Sequence, residues 1–172
     1  MERAARFKKD GSNFKEAKMK YRLYREQQLD CDIHVAWSFF CDPQNLARIT
    51  PGNMKFTVIS NLLEEEIYTG MEIDYKVSPL FGIPVKWKTR IIQVDYHKSF
   101  TDFQEAGPYK LWHHHHEFVP NNKGVLMKDT VNYELPFGFL GKIAHFLVVK
   151  KKLNKIFDYR FQILENLFNE KR

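Results

Sequence analysis

Between Phe139 and Phe168 apolar residues recur at helical spacing: Phe139, Ile143, Phe146, Val149, Leu153, Ile156, Ile163 and Leu167, widened by Leu140, Leu147, Phe157, Phe161 and Leu164. The pattern predicts one rod of about eight turns, roughly 45 Å at 1.5 Å per residue. A helix cannot bury such a stripe against itself, so it must lie across something broad and apolar. The segments before it are patterned as strands, which leaves a sheet as its partner. One long helix on one curved sheet leaves space between the layers, and that space is the natural place for a ligand.

What precedes the rod reads as one strand, two short helices and six further strands. Tyr21, Leu23 and Arg25 set against Lys20, Arg22 and Tyr24 mark a first strand over 19–29. Asp32 is placed to cap a helix over 34–40, and Asp42-Pro43 to cap and start a second that ends near Ile49, before Thr50-Pro51. Lys55–Ser60 is apolar-rich and reads as a strand. Met71, Ile73, Tyr75 and Val77 alternate with Glu72, Asp74 and Lys76. Val85, Trp87, Thr89 and Ile91 alternate with Lys86, Lys88 and Arg90, and Pro79 to Pro84 are expected to form the turn between the two strands. Ile91-Ile92 breaks the alternation, and Val94 and Tyr96 resume it in the other phase, as a β-bulge produces. Ser99–Gln104 is a weaker strand; Lys110–Val119 and Val125–Leu135 flank the turn residues Pro120-Asn121-Asn122-Lys123-Gly124. Helices gathered at the edges of an all-antiparallel sheet define an α+β layer fold.

At 172 residues the chain is long enough for one domain with a sizeable core, expected over 19–172 behind a flexible basic tail over 1–18. Its 15 Phe suit either a wide core or an apolar cavity. No run of 18 apolar residues exists and the charged N-terminus lacks an apolar signal segment, so a cytoplasmic protein is expected. Cys31 and Cys41 form no CxxC and read as reduced thiols. The net charge of +6 is uneven: residues 1–20 carry +4, residues 138–172 carry +5 and the middle carries −3. Nucleic-acid binding calls for basic residues interleaved with exposed aromatics on one face. Positive charge confined to a tail and one helix argues against it. There is no glycine-rich phosphate loop, GxSxG or HExxH pattern.

The element order is that of the helix-grip fold, and specific residues match it. Asn45-Leu46 with Thr50-Pro51, Gly107-Pro108, Trp112 with His114, His116 and Phe118, Asp129 with Tyr133-Glu134-Leu135-Pro136-Phe137-Gly138, and Phe157 with Tyr159-Arg160 resemble the START-like, or Bet v 1-like (SRPBCC), ligand-binding superfamily. More narrowly they resemble its bacterial polyketide cyclase/dehydratase or coenzyme-Q-binding-like group. The resemblance runs from about residue 20 to the C-terminus. It implies a seven-stranded curved antiparallel sheet, two short helices after the first strand, a long C-terminal helix across the sheet, and a hydrophobic ligand held between them. No cofactor is expected.

The run His113–His116 dominates the candidate chemistry. Successive side chains on a strand point to opposite faces, so His114 and His116 fall with Trp112 and Phe118 on the cavity side. His113 and His115 fall with Leu111 and Glu117 on the solvent side. Neither pair has a third ligand nearby in sequence, whereas zinc takes three or four. No metal site is expected, and adventitious nickel or zinc would meet His113 and His115 first. On the next strand the cavity phase is Val125, Met127, Asp129, Val131, Tyr133 and Leu135. Antiparallel partners share a face and a constant sum of residue numbers, which must be odd for Phe118 and Val131 to face the same way. The two registers nearest the turn set Asp129 opposite His114 or His116.

A cavity-facing His–Asp pair is therefore expected, with Tyr133 two residues on. Arg160, between Ile156 and Ile163 on the helix stripe, is the natural second partner, since a buried carboxylate must be hydrogen-bonded or neutralised. Three readings of the cluster stay open: a structural network tying hairpin to helix, a polar patch orienting a head group, and acid–base catalysis with Tyr133 or Arg160 stabilising an enolate. Lys150, Lys151, Lys152 and Lys155 read either as a solvated helix face or as a transient docking cluster for anionic lipid. The sequence thus points to a monomer or weak dimer that binds or transports a lipid, quinone or polyketide-like molecule. Its walls would be Ile73, Tyr75, Val77, Trp87, Phe118, Val131 and the inner helix stripe; its polar end would be His114, His116, Asp129, Tyr133 and Arg160. A cyclase or dehydratase on the same scaffold, and an interaction module using the basic tail and helix, are the alternatives.

Overall fold

The computed structural model describes residues 21–61, 66–80 and 82–170, so the tail over 1–18 lies outside the described residues. Strand β1 (Tyr21–Leu29) leads into helices α1 (Ile33–Cys41) and α2 (Pro43–Arg48). Their caps are the expected aspartates: Asp32 accepts from the His34 amide and Asp42 from the Gln44 amide, each at 2.8 Å, with Pro43 opening the second helix. A single 3-10 turn at Gly52–Met54 precedes β2 (Thr57–Val58), β3 (Glu72–Leu80), β4 (Ile83–Asp95), β5 (Ser99–Ala106), β6 (Leu111–Asn121) and β7 (Gly124–Glu134). All pair antiparallel in one sheet of seven strands, ordered β1-β7-β6-β5-β4-β3-β2.

The largest departures from the sequence reading lie in β2 and in the β3–β4 connection; β5, β6 and β7 shift by one or two residues at their ends. β2 keeps only two residues of Lys55–Ser60. β3 and β4 run past Pro79 and Pro84 until Leu80 pairs with Ile83, so the connection is tighter than the prolines implied. Both prolines sit where a missing donor costs little: β2 covers β3 only at Tyr75 and Lys76, and β4 meets β5 only from Lys88 onward. The bulge foreseen at Ile91-Ile92 is present as a register shift between Ile91 and Gln93, with another between Lys88 and Thr89. Such shifts bend the strand and curl the sheet. Two clusters fill the concave side. Trp37 of α1 anchors one with Leu29, Phe100, Phe118 and Leu164; Trp112, Val131, Tyr133, Leu153 and Phe157 form the other.

The C-terminal helix is continuous but not uniform. It comprises α3 (Gly138–Ala144), a π-turn (His145–Val149), α4 (Lys150–Leu164) and a second π-turn (Glu165–Asn169). In α4 the inward residues are Leu153, Phe157, Arg160 and Leu164, close to the expected stripe. In the first half the expectation is overturned. Phe139, Leu140, Ile143, Phe146 and Leu147 are exposed, Phe146 at 81%. The face turned to the sheet is instead Gly141 and His145, joined by Val149, which is buried as the stripe predicts. His145 stacks on Tyr21 with ring centroids 3.4 Å apart, and its Nε2 meets the Tyr133 hydroxyl at 3.0 Å. A Cβ at Gly141 would collide with the Pro136 carbonyl oxygen, so this turn packs closely on the preceding chain. The π-turn adds a residue between α3 and α4 and rotates the apolar phase out of line with the one beneath α4. No helix among the described residues is long and apolar enough to cross a membrane.

Candidate functional site

A cavity of about 220 Å³ lies between the sheet and α4. β3 contributes Ile73, Tyr75 and Val77, β4 contributes Trp87 and Ile91, α1 and α2 contribute Phe39, Phe40 and Leu46, and the helix contributes Val149, Leu153, Ile156 and Phe157. Strand parity accounts for the first two groups. The aromatics from α1 were invisible in the alternation because they close the cavity from its end. Two expected walls do not line it. Phe118 lies under α1, 5.7 Å from the Trp37 ring, and Val131 is sealed in the second cluster. Nor does Tyr133 join the polar end, because its hydroxyl is taken by His145.

The polar end comes from three neighbouring strands and the helix. β6 and β7 pair with His116 opposite Asp129, the odd-sum register. β5 and β6 pair with Asp102 opposite His114 and Phe100 opposite His116. His114 Nε2 stands 2.9 Å from Asp129 Oδ1 in a hydrogen bond. His116 Nδ1 is 2.9 Å from the same oxygen, off the line of a hydrogen bond, while its Nε2 bonds Asp102 Oδ2 at 3.2 Å. His114 Nδ1 is 3.5 Å from that Asp102 oxygen. Asp129 thus sits behind the two imidazoles rather than on the cavity wall, and Asp102 sits in front of them. From the helix, Arg160 Nη1 approaches Asp129 Oδ2 to 3.7 Å with its guanidinium 4.7 Å over the Phe157 ring. Asp102 is the residue sequence reasoning missed. The parity Phe100, Asp102, Gln104 carried the signal, but polar residues in both phases of that weak strand hid it.

No family model matches the sequence, and neither does any curated protein. Solved structures do match. Protein CV1439 from Chromobacterium violaceum aligns with a TM-score of 0.64 at 12% identity, over 87% of this chain and 98% of that one. Major latex-like protein 151 from Panax ginseng aligns at 0.62 and 15%, over 87% and 98%. Norcoclaurine synthase from Thalictrum, in complex with a transition-state analogue, aligns at 0.58 and 16%, over 86% and 95%. This chain has the Bet v 1-like helix-grip fold.

Within this helix-grip domain the buried groups set one another's protonation. Burial opposes charge on Asp129, yet His116 and His114 outweigh it and hold the carboxyl well below its usual range. Burial, then the neighbouring His116, pushes His114 down. Burial also works against a charged His116, but Asp129 and Asp102 together raise it. The cluster therefore favours a protonated His116, a neutral His114 and an ionised Asp129. His113 and His115 lie on the other face, half-buried rather than freely solvated; His115 Nδ1 meets Thr101 Oγ1 at 2.9 Å. Arg160 is only 7% exposed, and its Nε has no hydrogen-bond partner among the described residues. A buried cation with a spare donor and an imidazole held by a carboxylate can fix an oxygen-bearing head group or move a proton. Asp102, His114 and His116 also bring their donor atoms within 4.8 Å of one another, the one such group of metal-ligand type among the described residues.

Proposed function

We propose that this domain binds a compact hydrophobic molecule with an anionic or oxygen-bearing head group and loads it from an anionic membrane surface. The observation that carries the reading is an apolar cavity ending at Arg160, whose buried Nε lacks a partner among the described residues. Leaving a charged donor unmet in a dry site is costly, and a ligand oxygen would relieve it. The volume is below the usual range of about 300–1,000 Å³ for ligand pockets, which favours a quinone- or polyketide-sized ring system over a two-chain lipid. Residues 19–172 form the unit that does this.

Loading from a membrane rests on the exposed half of the helix. Phe139, Leu140, Phe146 and Leu147 face outward beside exposed Lys142, Lys150, Lys151 and Lys155. Apolar side chains flanked by lysines suit an anionic surface such as the cytoplasmic leaflet, at about 1 kcal/mol per basic residue. A groove bounded by Leu147, Val148, Lys151 and Lys155 shares Met54, Lys152 and Ile156 with the cavity wall, so this face adjoins the cavity.

The test is titration with 1-anilinonaphthalene-8-sulfonate, an apolar ring system bearing an anion. One-to-one binding that weakens at least about tenfold in Arg160→Met, at unchanged circular dichroism, supports the reading. Binding that is absent, or insensitive to Arg160→Met and to filling the cavity with Leu153→Trp, overturns it. The second reading, a cyclase or dehydratase, is favoured by the His114–Asp129 hydrogen bond, which orients the imidazole as a general base requires. Turnover of a polyketide-like substrate that His114→Gln abolishes while binding persists would decide for it.

A further inference from the structure

We propose that Asp102, His114 and His116 form a binding site for a divalent transition-metal ion, with Asp129 orienting both imidazoles from behind. Along the chain neither histidine pair has a third ligand close by, which is why no metal site is expected from the sequence. The sheet supplies that ligand from the neighbouring strand, where Asp102 pairs with His114.

Three observations converge. The first is spacing. Asp102 Oδ2 lies 3.2 Å from His116 Nε2 and 3.5 Å from His114 Nδ1. Donors bound to one ion at 2.0–2.2 Å in tetrahedral or octahedral geometry stand about 3.0–3.5 Å apart, so these two edges are already at coordination distance. The second is the direction of the lone pairs. His114 Nε2 gives its hydrogen to Asp129, which leaves the Nδ1 lone pair facing Asp102. His116 presents Nδ1 to Asp129 and Nε2 to Asp102. Two imidazole nitrogens and a carboxylate oxygen thus face one another around one point. A divalent cation there would take the place of the proton that His116 Nε2 shares with Asp102 and would also engage the His114 lone pair. The third is the support behind the ligands. A carboxylate bonded to the far side of a ligating imidazole fixes its tautomer and tilt, and Asp129 does so with Arg160 beside it. Phe100 stacks on His116 with centroids 4.2 Å apart, and the Trp112 and Phe157 rings stand edge-on to His114.

Two imidazoles and one carboxylate suit zinc, cobalt or ferrous iron rather than calcium or magnesium. All three donors line the cavity, so the remaining coordination positions open into it. A ligand for such a site would be an apolar compound with a coordinating enol, phenol or carboxylate oxygen. The site stands on its donors and holds whether or not the cavity takes the sulfonate dye.

The experiment titrates chelator-stripped protein with Co²⁺ alone, reading the visible d–d bands, and then displaces it with Zn²⁺. One ion per chain is expected, with affinity lowered at least about 100-fold by Asp102→Ala and unchanged by the outer-face double variant His113→Asn/His115→Asn. Asp102 is at the cavity wall and not in the core, and the circular dichroism of its variant is recorded alongside. Should that variant unfold, ¹H paramagnetic shifts in the Co²⁺-loaded wild type assign the ligating imidazoles instead. Absence of stoichiometric binding, binding that depends on His113 and His115, or shifts confined to those two rings overturns the proposal. Since no apolar ligand is present, its failure is separable from failure of the dye titration.

Discussion

Asp129→Asn tests the buried network directly. Asp129 accepts from His114 at 2.9 Å, lies 2.9 Å from His116 Nδ1 and faces Arg160 at 3.7 Å, all inside the protein. The amide keeps the shape and removes the charge. It strands the Arg160 guanidinium without its anion and points an N–H₂ at one of its former partners. Removing one member of a buried charged pair costs about 3–5 kcal/mol. Asp102 remains to neutralise His116, which places the expected loss near the lower end, about 3 kcal/mol. For a domain of this size that lowers Tm by roughly 6–12 °C.

The penalty also has a pH window. The depressed carboxyl of Asp129 contributes stability that is present above about pH 4, the unfolded value, and lost as pH falls through the folded one. The raised His116 contributes stability that is fully present below about pH 6.5 and lost as pH rises through its folded value. The depressed His114 has the opposite sign: its share is present above about pH 6.5 and lost as pH falls. The Asp129–His116 pairing is thus fully ionised between about pH 4 and 6.5, and there the variant suffers most. Urea unfolding in EDTA at pH 5.5 and 8.5 measures it, with Arg160→Met and the double variant closing a cycle. A variant within about 1 kcal/mol of wild type at pH 5.5, or strictly additive losses in the cycle, would refute the network as described.

Three further outcomes follow from particular contacts. Leu164→Ala should cost about 2–5 kcal/mol in urea unfolding, whereas Leu167→Ala, at a position 42% exposed, should cost under about 1 kcal/mol; equal losses would mean the helix phase is wrong. Gly124 has φ +110° and a Cβ there would collide with the Leu29 carbonyl oxygen, so Gly124→Ala should lower stability by more than about 2 kcal/mol, read as a shift in urea midpoint. Phe146→Asp/Leu147→Asp should leave the urea midpoint nearly unchanged, within about 1 kcal/mol, yet abolish co-flotation with vesicles of phosphatidylcholine and phosphatidylglycerol. Co-flotation that survives the double variant, or that 0.5 M NaCl leaves intact, would remove the docking surface.

The alternation of β3 and β4, the aspartate caps and the β6–β7 turn are local signals, and each has its structural counterpart because neighbours along the chain decide it. Parity then carried the argument one step further. A strand's faces are set by residue number alone, so a hairpin of known turn places Asp129 on the face of His114 and His116, and the structure selects His116 as its cross-strand partner. The helix's first half failed for a physical reason: periodicity gives an apolar stripe but not what the stripe meets. Tyr21, Tyr133 and Pro136 claim His145 and Gly141, and an inserted residue turns Phe139 and Phe146 outward. Asp102 was unreadable because its meaning lies in a strand pairing, and pairing between β5 and β6 joins residues 10 to 18 apart whose register no local pattern encodes. Sequence by itself determined the layers, the caps and the face each histidine takes, since those follow from backbone period and steric preference. Only the tertiary structure decided which carboxylates meet those histidines and which apolar residues stay in water, because both depend on contacts between segments distant in the chain.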